Sequence, residues 1–203
     1  MRHVQVGWAR ALAESLLAEP LPRRWAHSQG VGAQAETLRP ILGTDGDLLV
    51  SAAWLHDIGY APPLVATDFH PLDGARYLRD VEHADEMLCR LVAHHTCAHI
   101  EAEERGLSAE LDEFDAPPSA LADALIYCDM TTGPSGERMD VTNRLAEIDR
   151  RYGADHLVSR SIRRATPVLV EAVQVTTKLI AGEPGNRIDP LRPQGTPGLG
   201  GLT

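Results

Sequence analysis

The chain has 203 residues, of which 43% are apolar and 24% are charged, a composition typical of one globular domain with a single core. Its 19 basic and 29 acidic side chains give a formal net charge of -10, which opposes non-specific binding to nucleic acid and to anionic lipid. No run is long and apolar enough to span a membrane, and the N-terminus has no secretory signal. We therefore expect a cytoplasmic protein whose partners include neither a nucleic-acid scaffold nor a membrane. The three cysteines form no Cys-x-x-Cys pair, so neither a disulfide framework nor a zinc knuckle is indicated.

Helical periodicity dominates the sequence and no run alternates strictly, which predicts an all-α fold. The first helix is expected at about residues 4–18, and the prolines that follow at positions 20 and 22 would end it. The second, at about 23–38, carries the apolar stripe Val31, Ala35 and Leu38. Projecting that stripe back by one turn places His27 on the same inward face.

A third helix is predicted from Asp47, a plausible N-cap, up to His56 and Asp57, with Gly59 as its stop. Residues 60–68 contain two prolines and are predicted to form a loop. The next helix opens at His70, because the following Pro71 is best tolerated in a first turn.

Further helices are predicted at about 85–95, ending in the pair His94-His95, and at 119–130, where Asp129 lies on or beside the buried stripe. The acidic segment 96–118 between them is expected to be a loop with a short helix. Helices at 141–152 and 156–181 follow, the latter with a kink or break before Pro167. Residues 182–203 are rich in glycine and proline and predict a flexible tail.

The pair His56-Asp57 has an unusual place. Adjacent residues of a helix project about 100° apart, so both can address one point only at a helix end. A carboxylate there is repelled by the helix dipole, and a bound cation would remove that penalty. His27 and Asp129 lie on apolar faces, where an unpaired carboxylate costs several kcal/mol. A shared divalent metal ion accounts for all four side chains.

The side chains discussed above occur along the chain in the order His27, His56-Asp57-Ile58-Gly59 and Asp129. This pattern resembles the H…HD…D signature of the HD-domain superfamily of metal-dependent phosphohydrolases, all-helical enzymes named for their His-Asp pair. The resemblance covers about residues 23–129. It implies a single HD-domain helical bundle over residues 1–181, followed by the tail 182–203.

The resemblance also implies a ligand set. One metal site would comprise His27, His56, Asp57 and Asp129. Histidines added in the binuclear branches are similar to those found here after the His-Asp pair, so a second site would comprise His70, His94 and His95, with Asp57 bridging the two ions. The spacing leaves open whether His94, His95 or both are ligands. Mixed imidazole and carboxylate ligands suit one or two divalent ions, iron or manganese first, with nickel, cobalt, zinc or magnesium as alternatives.

The chemistry implied is hydrolysis of a phosphoester or phosphoanhydride of a small molecule, with a nucleotide as the first candidate, by a hydroxide held between the ions. His56 and Asp57 would be the catalytic residues. Donors are needed for the phosphoryl oxygens, and Arg24 near His27 and Arg138 in a glycine-flanked loop are the candidates. We expect the protein to act alone or as a homodimer.

Two other functions remain open. A few HD-domain proteins are mixed-valent di-iron oxygenases that share these ligand types, and a degenerate domain could bind a nucleotide without turnover. Phosphate release without oxygen separates hydrolase from oxygenase, and metal content separates both from the binder. The cyclic-di-GMP phosphodiesterases are disfavoured, since their Gly-Tyr-Pro loop after the histidine pair is replaced here by Thr96-Cys97-Ala98.

Overall fold

The structure, a computed structural model, describes residues 5–182, and over that range the predicted all-α fold is confirmed. The helices are α1 (Val6–Leu17), α2 (Pro22–Leu42), α3 (Gly46–Leu55), α4 (His70–Asp80), α5 (Glu86–His94), α6 (Ala98–Arg105), α7 (Ser108–Leu111), α8 (Ser119–Met130), α9 (Val141–Tyr152) and α10 (Leu157–Ile180). Apart from its first residue, the predicted tail 182–203 lies outside the described residues, and the division at residue 181 stays a prediction.

Helix α3 lies at the centre of the bundle. All of its residues from Leu49 to Leu55 are buried, and it packs against α1, α2, α5 and α8. A helix that is apolar on every side is stable only when other elements surround it. The end of α3, where His56 and Asp57 follow, is therefore held inside the protein.

Contacts among the other helices bring the predicted ligand residues together. Helix α2 packs against both α3 and α8, and α8 packs against α10, which also contacts α6 and α9. The inward stripe of α2 and the end of α8 thus meet beside the end of α3. Helices α9 and α10 lie next to the same region, although they come last in the described chain.

The segment 96–118 contains more helix than its polar composition predicts. Instead of a loop with one short helix, it forms α6 and α7. Helix α6 buries Ala98 and Ala102 and presents acidic side chains outward, where Arg164 of α10 forms ion pairs with Glu103 and Glu104. These partners lie about 60 residues away, so the local sequence does not reveal them.

The predicted break before Pro167 does not occur, because α10 runs continuously through this residue. Proline lacks an amide hydrogen and cannot bond the carbonyl of Arg163 one turn earlier. Pro167 lies on the exposed side of α10, where water can bond the freed carbonyl. The buried face of α10, including Ala165 and Leu169, is undisturbed.

In residues 5–182, none of the helices has both the length and the apolar character that a membrane crossing requires.

Candidate metal centre

Three buried side chains from three helices form a first group of metal-ligand type. His27 of α2, His56 after α3 and Asp129 of α8 are 2%, 1% and 6% exposed, and each has one ligand atom within 4.8 Å of those of the other two. His27 Nε2 lies 3.0 Å from Asp129 Oδ1. This is the convergence that the inward faces of α2 and α8 predict.

A second group of the same kind adjoins the first. One ligand atom each of Asp57, His70 and His95 lies within 4.8 Å of the other two, and His70 Nε2 is 3.1 Å from His95 Nε2. The rings of His56 and His95 have their centroids 5.3 Å apart in an edge-on arrangement. The two groups therefore form one continuous cluster.

Asp57 touches both groups. Its Oδ2 atom is 3.5 Å from His56 Nε2, and its Oδ1 atom is 3.4 Å from His70 Nε2. The carboxylate is 96% buried, since only 4% of its side chain is exposed. A side chain whose two oxygens face different imidazoles has the position required of a bridging ligand.

The hydrogen bonds of three imidazoles leave the same nitrogen available in each. His27, His56 and His95 place Nδ1 against the backbone carbonyls of Gly133, Ala53 and Val92, at 3.0, 2.8 and 2.7 Å. A carbonyl can only accept, so Nδ1 carries the proton and donates, and in the neutral imidazole, the form that binds a metal, Nε2 keeps a lone pair facing the cluster. Metal-binding histidines in proteins are oriented by this kind of bond.

One atom of the cluster is a direct test of fit to a metal. His56 Nε2 is buried and has no hydrogen-bond partner among the described residues, although a buried nitrogen without a partner is costly. Its neighbours, His27 Nε2 and a carboxylate oxygen of Asp57, also present lone pairs. Nitrogen and oxygen donors that converge without protons between them fit a divalent transition metal ion.

The protonation states agree with that fit. Burial lowers the pKa of His56 to about 4, and burial also lowers the pKa of His70 well below its ordinary value. For Asp57 and Asp129 burial acts in the opposite direction, but Arg24 beside Asp57 and His27 beside Asp129 bring both pKa values well below the ordinary range. Near neutral pH His56 and His70 are thus neutral, and Asp57 and Asp129 are ionised, the forms that bind metals.

Close packing after α3 brings His70 to the His-Asp pair. A Cβ atom added at Gly59 would lie 2.0 Å from the carbonyl oxygen of His70, so only glycine allows this approach. Asp73 of α4 accepts hydrogen bonds from the amides of Ala66 and Thr67, which fixes the loop leading to His70. Gly59 is therefore a packing residue and not the predicted helix stop, because α3 ends at Leu55 and Gly59 lies in the following 3-10 turn Ile58–Tyr60.

A strained turn after α5 positions His95 and Thr96 at the cluster. Thr96 and Cys97 have φ values of 52° and 59°, a left-handed conformation that costs non-glycine residues about 1 to 3 kcal/mol each. The turn leaves His95 in the cluster and lets the Thr96 hydroxyl donate to Asp129 Oδ2. Asp129 thus accepts from Thr96 on one oxygen, while its other oxygen lies 3.0 Å from His27 Nε2.

Cationic side chains adjoin the carboxylates. Arg24 Nη1 donates to Asp57 Oδ2 at 2.7 Å, and its guanidinium lies over the ring of Tyr60, 3.8 Å from the centroid. Arg144 of α9 is buried with Nη2 3.7 Å from Asp129 Oδ1. Both arginines line a cavity of about 70 Å³ that also contains Asp57, Asp129, His70 and His95. We call it the metal cavity.

Two of the predicted site residues lie elsewhere. His94 points away from the cluster, and its Nε2 is 2.7 Å from the carbonyl oxygen of Phe114. Arg138 contacts Tyr127 and Gln34 and does not line the metal cavity. Its loop turns back through a bridge to Thr132, which directs the side chain over α2 and α8. The structure therefore brings His95 and Arg24, but not His94 and Arg138, to the site.

Several residues at the site were not predicted from the sequence. Thr96, Arg144 and Tyr152 lie in or beside the metal cavity, and none belongs to a motif with a metal-ligand pattern. One signal was available for Arg144, since it lies one turn before Ile148 on the apolar stripe of α9. An arginine on a buried stripe needs a partner or a function.

Comparison with known families matches residues 24–129 to the family described as HD domain, slightly more than half of the chain. Searches of curated proteins and of solved structures returned no significant match.

Proposed function

Because the chain belongs to the HD-domain family of metal-dependent phosphohydrolases, we propose that it hydrolyses a phosphoester or phosphoanhydride of a small molecule, with nucleotides as the first class to test. The observation that carries the proposal is the pair of adjoining ligand groups with Asp57 in contact with both. His27, His56 and Asp129 would hold one ion, and His70 and His95 would hold a second, with Asp57 shared.

Divalent ions held there supply Lewis-acid chemistry, in that they activate water and neutralise charge on phosphoryl oxygens. Iron and manganese suit the mixture of imidazole and carboxylate donors. Groups of the protein itself hold these ligands in position. Backbone carbonyls fix the imidazoles, and the side chains of Thr96 and Arg144 fix Asp129. A site held in this way needs little rearrangement during reaction.

Arg24 is the proposed phosphate-binding residue beside the ligands. A guanidinium has five N–H donors, and Arg24 directs one amino group to Asp57 and the other to the Tyr152 hydroxyl, at 3.3 Å. Donors beyond these two bonds can orient phosphoryl oxygens in the metal cavity. The stacking of Arg24 over Tyr60 restricts its side chain, so orientation costs less conformational entropy.

We also place the protein in the cytoplasm as part of this proposal. All three cysteines are buried and free, as is usual for proteins of a reducing compartment.

The test is release of phosphate from a library of nucleotides and other small phosphate esters, with manganese- or iron-loaded protein under anaerobic conditions. We expect turnover, and a loss of about a hundredfold or more for His56→Gln, because that change removes a ligand nitrogen. The matched control is His94→Gln, whose amide can still donate to the Phe114 carbonyl. We expect it to keep wild-type turnover and metal content.

The alternative is the di-iron oxygenase of the same fold. Substrate consumption that requires oxygen, with no phosphate released, would refute the hydrolase and support the oxygenase. Equal activity of His56→Gln and the control would show that the cluster is not the active site.

A further inference from the structure

A second cavity lies behind the arginines of the metal cavity. It has a volume of about 110 Å³ and is lined by Arg23, Arg24, His27, Pro134, Arg144 and Arg151. We call it the arginine pocket. A water molecule needs about 10 to 15 Å³ on this scale, so the pocket has room for a group of several heavy atoms. Four of its six lining residues are arginines, and none is acidic, in a chain of formal charge -10.

The charges of the pocket are only partly neutralised. Arg144 and Arg151 both pair with Glu147, at 2.7 and 3.6 Å, and Arg24 pairs with Asp57. Arg23 is exposed and has no ion pair with any described residue. Arg144 also lies 3.7 Å from Asp129, so four guanidinium groups share three carboxylates, which leaves the pocket positive.

One donor of an arginine that lines this pocket has no partner. Arg144 Nε is buried and makes no hydrogen bond within the described part of the chain, and only 4% of the Arg144 side chain is exposed. A buried cationic donor without an acceptor is costly. An oxyanion in the arginine pocket would supply the missing acceptor.

The pocket and the metal cavity are neighbours. Arg24, Arg144 and Arg151 line both of them, so a ligand could contact the same guanidinium groups from either side. Arg144 and Arg151 lie two turns apart on one face of α9, which directs both to the same place. A phosphoryl group in the arginine pocket would therefore lie next to one in the metal cavity.

We propose that the arginine pocket binds a second phosphoryl group of the substrate, so that the preferred substrate is a phosphoanhydride, such as a diphosphate ester, and not a monophosphate. This inference rests on the proposed hydrolase function. In the reaction, water attacks the phosphorus in the metal cavity and the bond from that phosphorus to the bridging oxygen breaks. The departing phosphate keeps the bridging oxygen and its electron pair, and the two hydrogens of the water are shared between the products and solvent.

The arginines fit the departing phosphate. A phosphate leaving group gains negative charge as the bridging bond breaks, and guanidinium groups stabilise that charge through paired hydrogen bonds without proton transfer. Arg23 lines the arginine pocket and not the metal cavity. A substitution of Arg23 therefore tests binding of the departing phosphate without changing the lining of the metal cavity. Arg150 is a matched control, because it is exposed on α9, the helix of Arg151, and bonds the Ala146 carbonyl.

The first experiment measures pyrophosphate binding to EDTA-treated protein by calorimetry, which does not depend on turnover. We expect Arg23→Ala and Arg151→Ala each to raise the Kd about tenfold, the effect of losing one charge-assisted hydrogen bond. Arg150→Ala should bind as the wild type does. Equal Kd values for all four proteins, or no binding by the wild type, would overturn the proposal.

The second experiment compares a nucleoside diphosphate with the monophosphate of the same nucleoside, using manganese-loaded protein. We expect the ratio of their kcat/KM values to favour the diphosphate and to fall about tenfold in Arg23→Ala, with no change in Arg150→Ala. A ratio that Arg23→Ala leaves unchanged would overturn the substrate assignment. Pyrophosphate binding through Arg23 in a protein that hydrolyses neither ester would refute the hydrolase function and retain the anion site.

Discussion

Replacement of Asp57 by alanine tests whether the Arg24–Asp57 ion pair stabilises the metal-free protein. The helix-dipole argument alone predicts a gain of about 0.3 to 1 kcal/mol, because a carboxylate is removed from a helix end. The structure reverses that sign, since Asp57 accepts a 2.7 Å bond from Arg24 and only 4% of its side chain is exposed. Without Asp57, the partly buried guanidinium of Arg24 loses its carboxylate.

The magnitude follows from the burial of the pair. Breaking a buried ion pair by removing one partner costs about 3 to 5 kcal/mol. The side chain of Arg24 is 19% exposed and keeps its bond to Tyr152, which favours the lower limit. After the dipole gain is subtracted, we expect a net loss of about 2 kcal/mol, or about 4 to 8 °C in Tm for a domain of this size.

The assay is a pair of thermal and urea melts in EDTA. Asp47→Ala is the control: Asp47 lies in the first turn of the same helix and pairs with Arg39, but the two side chains are 51% and 43% exposed. Exposed pairs contribute about 0 to 1 kcal/mol, so this variant should lose less stability. A metal-free Asp57→Ala protein as stable as the wild type, or more stable, would refute the ion-pair argument. With metal added, Asp57→Ala activity above about a tenth of wild type would show that Asp57 is not shared between ions.

Three further changes test the packing and the ligand assignment. Gly59→Ala should lower the free energy of unfolding by about 3 kcal/mol, the upper range for overpacking, because the added Cβ would clash with the His70 carbonyl. The control Gly7→Ala, with open space around it, should raise that free energy by up to about 1 kcal/mol in urea melts. Equal effects of the two changes would contradict the close approach at Gly59. His95→Gln should lower the bound manganese found by metal analysis while His94→Gln leaves it unchanged, and the reverse result would exchange their roles. The cysteines are all buried, and burial raises the pKa of Cys89 to about 11. A thiol reagent at pH 8 should therefore react with the cysteines only after unfolding, and rapid reaction of the native protein would contradict their burial.

Helical periodicity predicted the elements that hold the first ligand group. His27 and Asp129 each lie one or two turns from apolar residues on the same face, so their burial follows from spacing alone. The helix ends were predicted less well, because Asp47 lies in the first turn of α3 and is not its N-cap. Asp85 and Asp140, which were not predicted as N-caps, accept from amides of the first turn as N-caps do. Local patterns therefore suffice where one helix face determines the position of a side chain.

The choice between His94 and His95 could not be made from local patterns. Adjacent residues project in different directions, and the direction here depends on how the chain leaves α5. His95 begins a turn in which Thr96 and Cys97 are left-handed, a conformation that neither residue type favours. Only the packing of that turn against α8 selects His95.

Arg138 was misplaced for a related reason. A glycine-flanked loop near the site suggested a mobile phosphate-binding segment, but its glycines serve close packing. A Cβ atom added at Gly136 would lie 2.4 Å from the carbonyl oxygen of Ala26 on α2. The loop is therefore seated on α2, where the Gly133 carbonyl can accept from His27. Loop composition alone does not distinguish a loop that binds substrate from one that orients a ligand.

Part of the proposed substrate-binding surface lies outside the family match. The match ends at Asp129, which completes the first ligand group, yet Arg144, Arg151 and Tyr152 of α9 line the metal cavity. The segment from 24 to 129 accounts for the ligands, and helices after it supply cationic groups around them. The candidate metal ligands thus all lie within the matched segment, whereas the proposed phosphate-binding arginines are divided between α2 and α9. If the proposed function holds, we expect substitution of Arg151 on α9 to alter which phosphate compound is bound while the ligands stay in place, since α9 contributes no ligand and Arg151 pairs with Glu147.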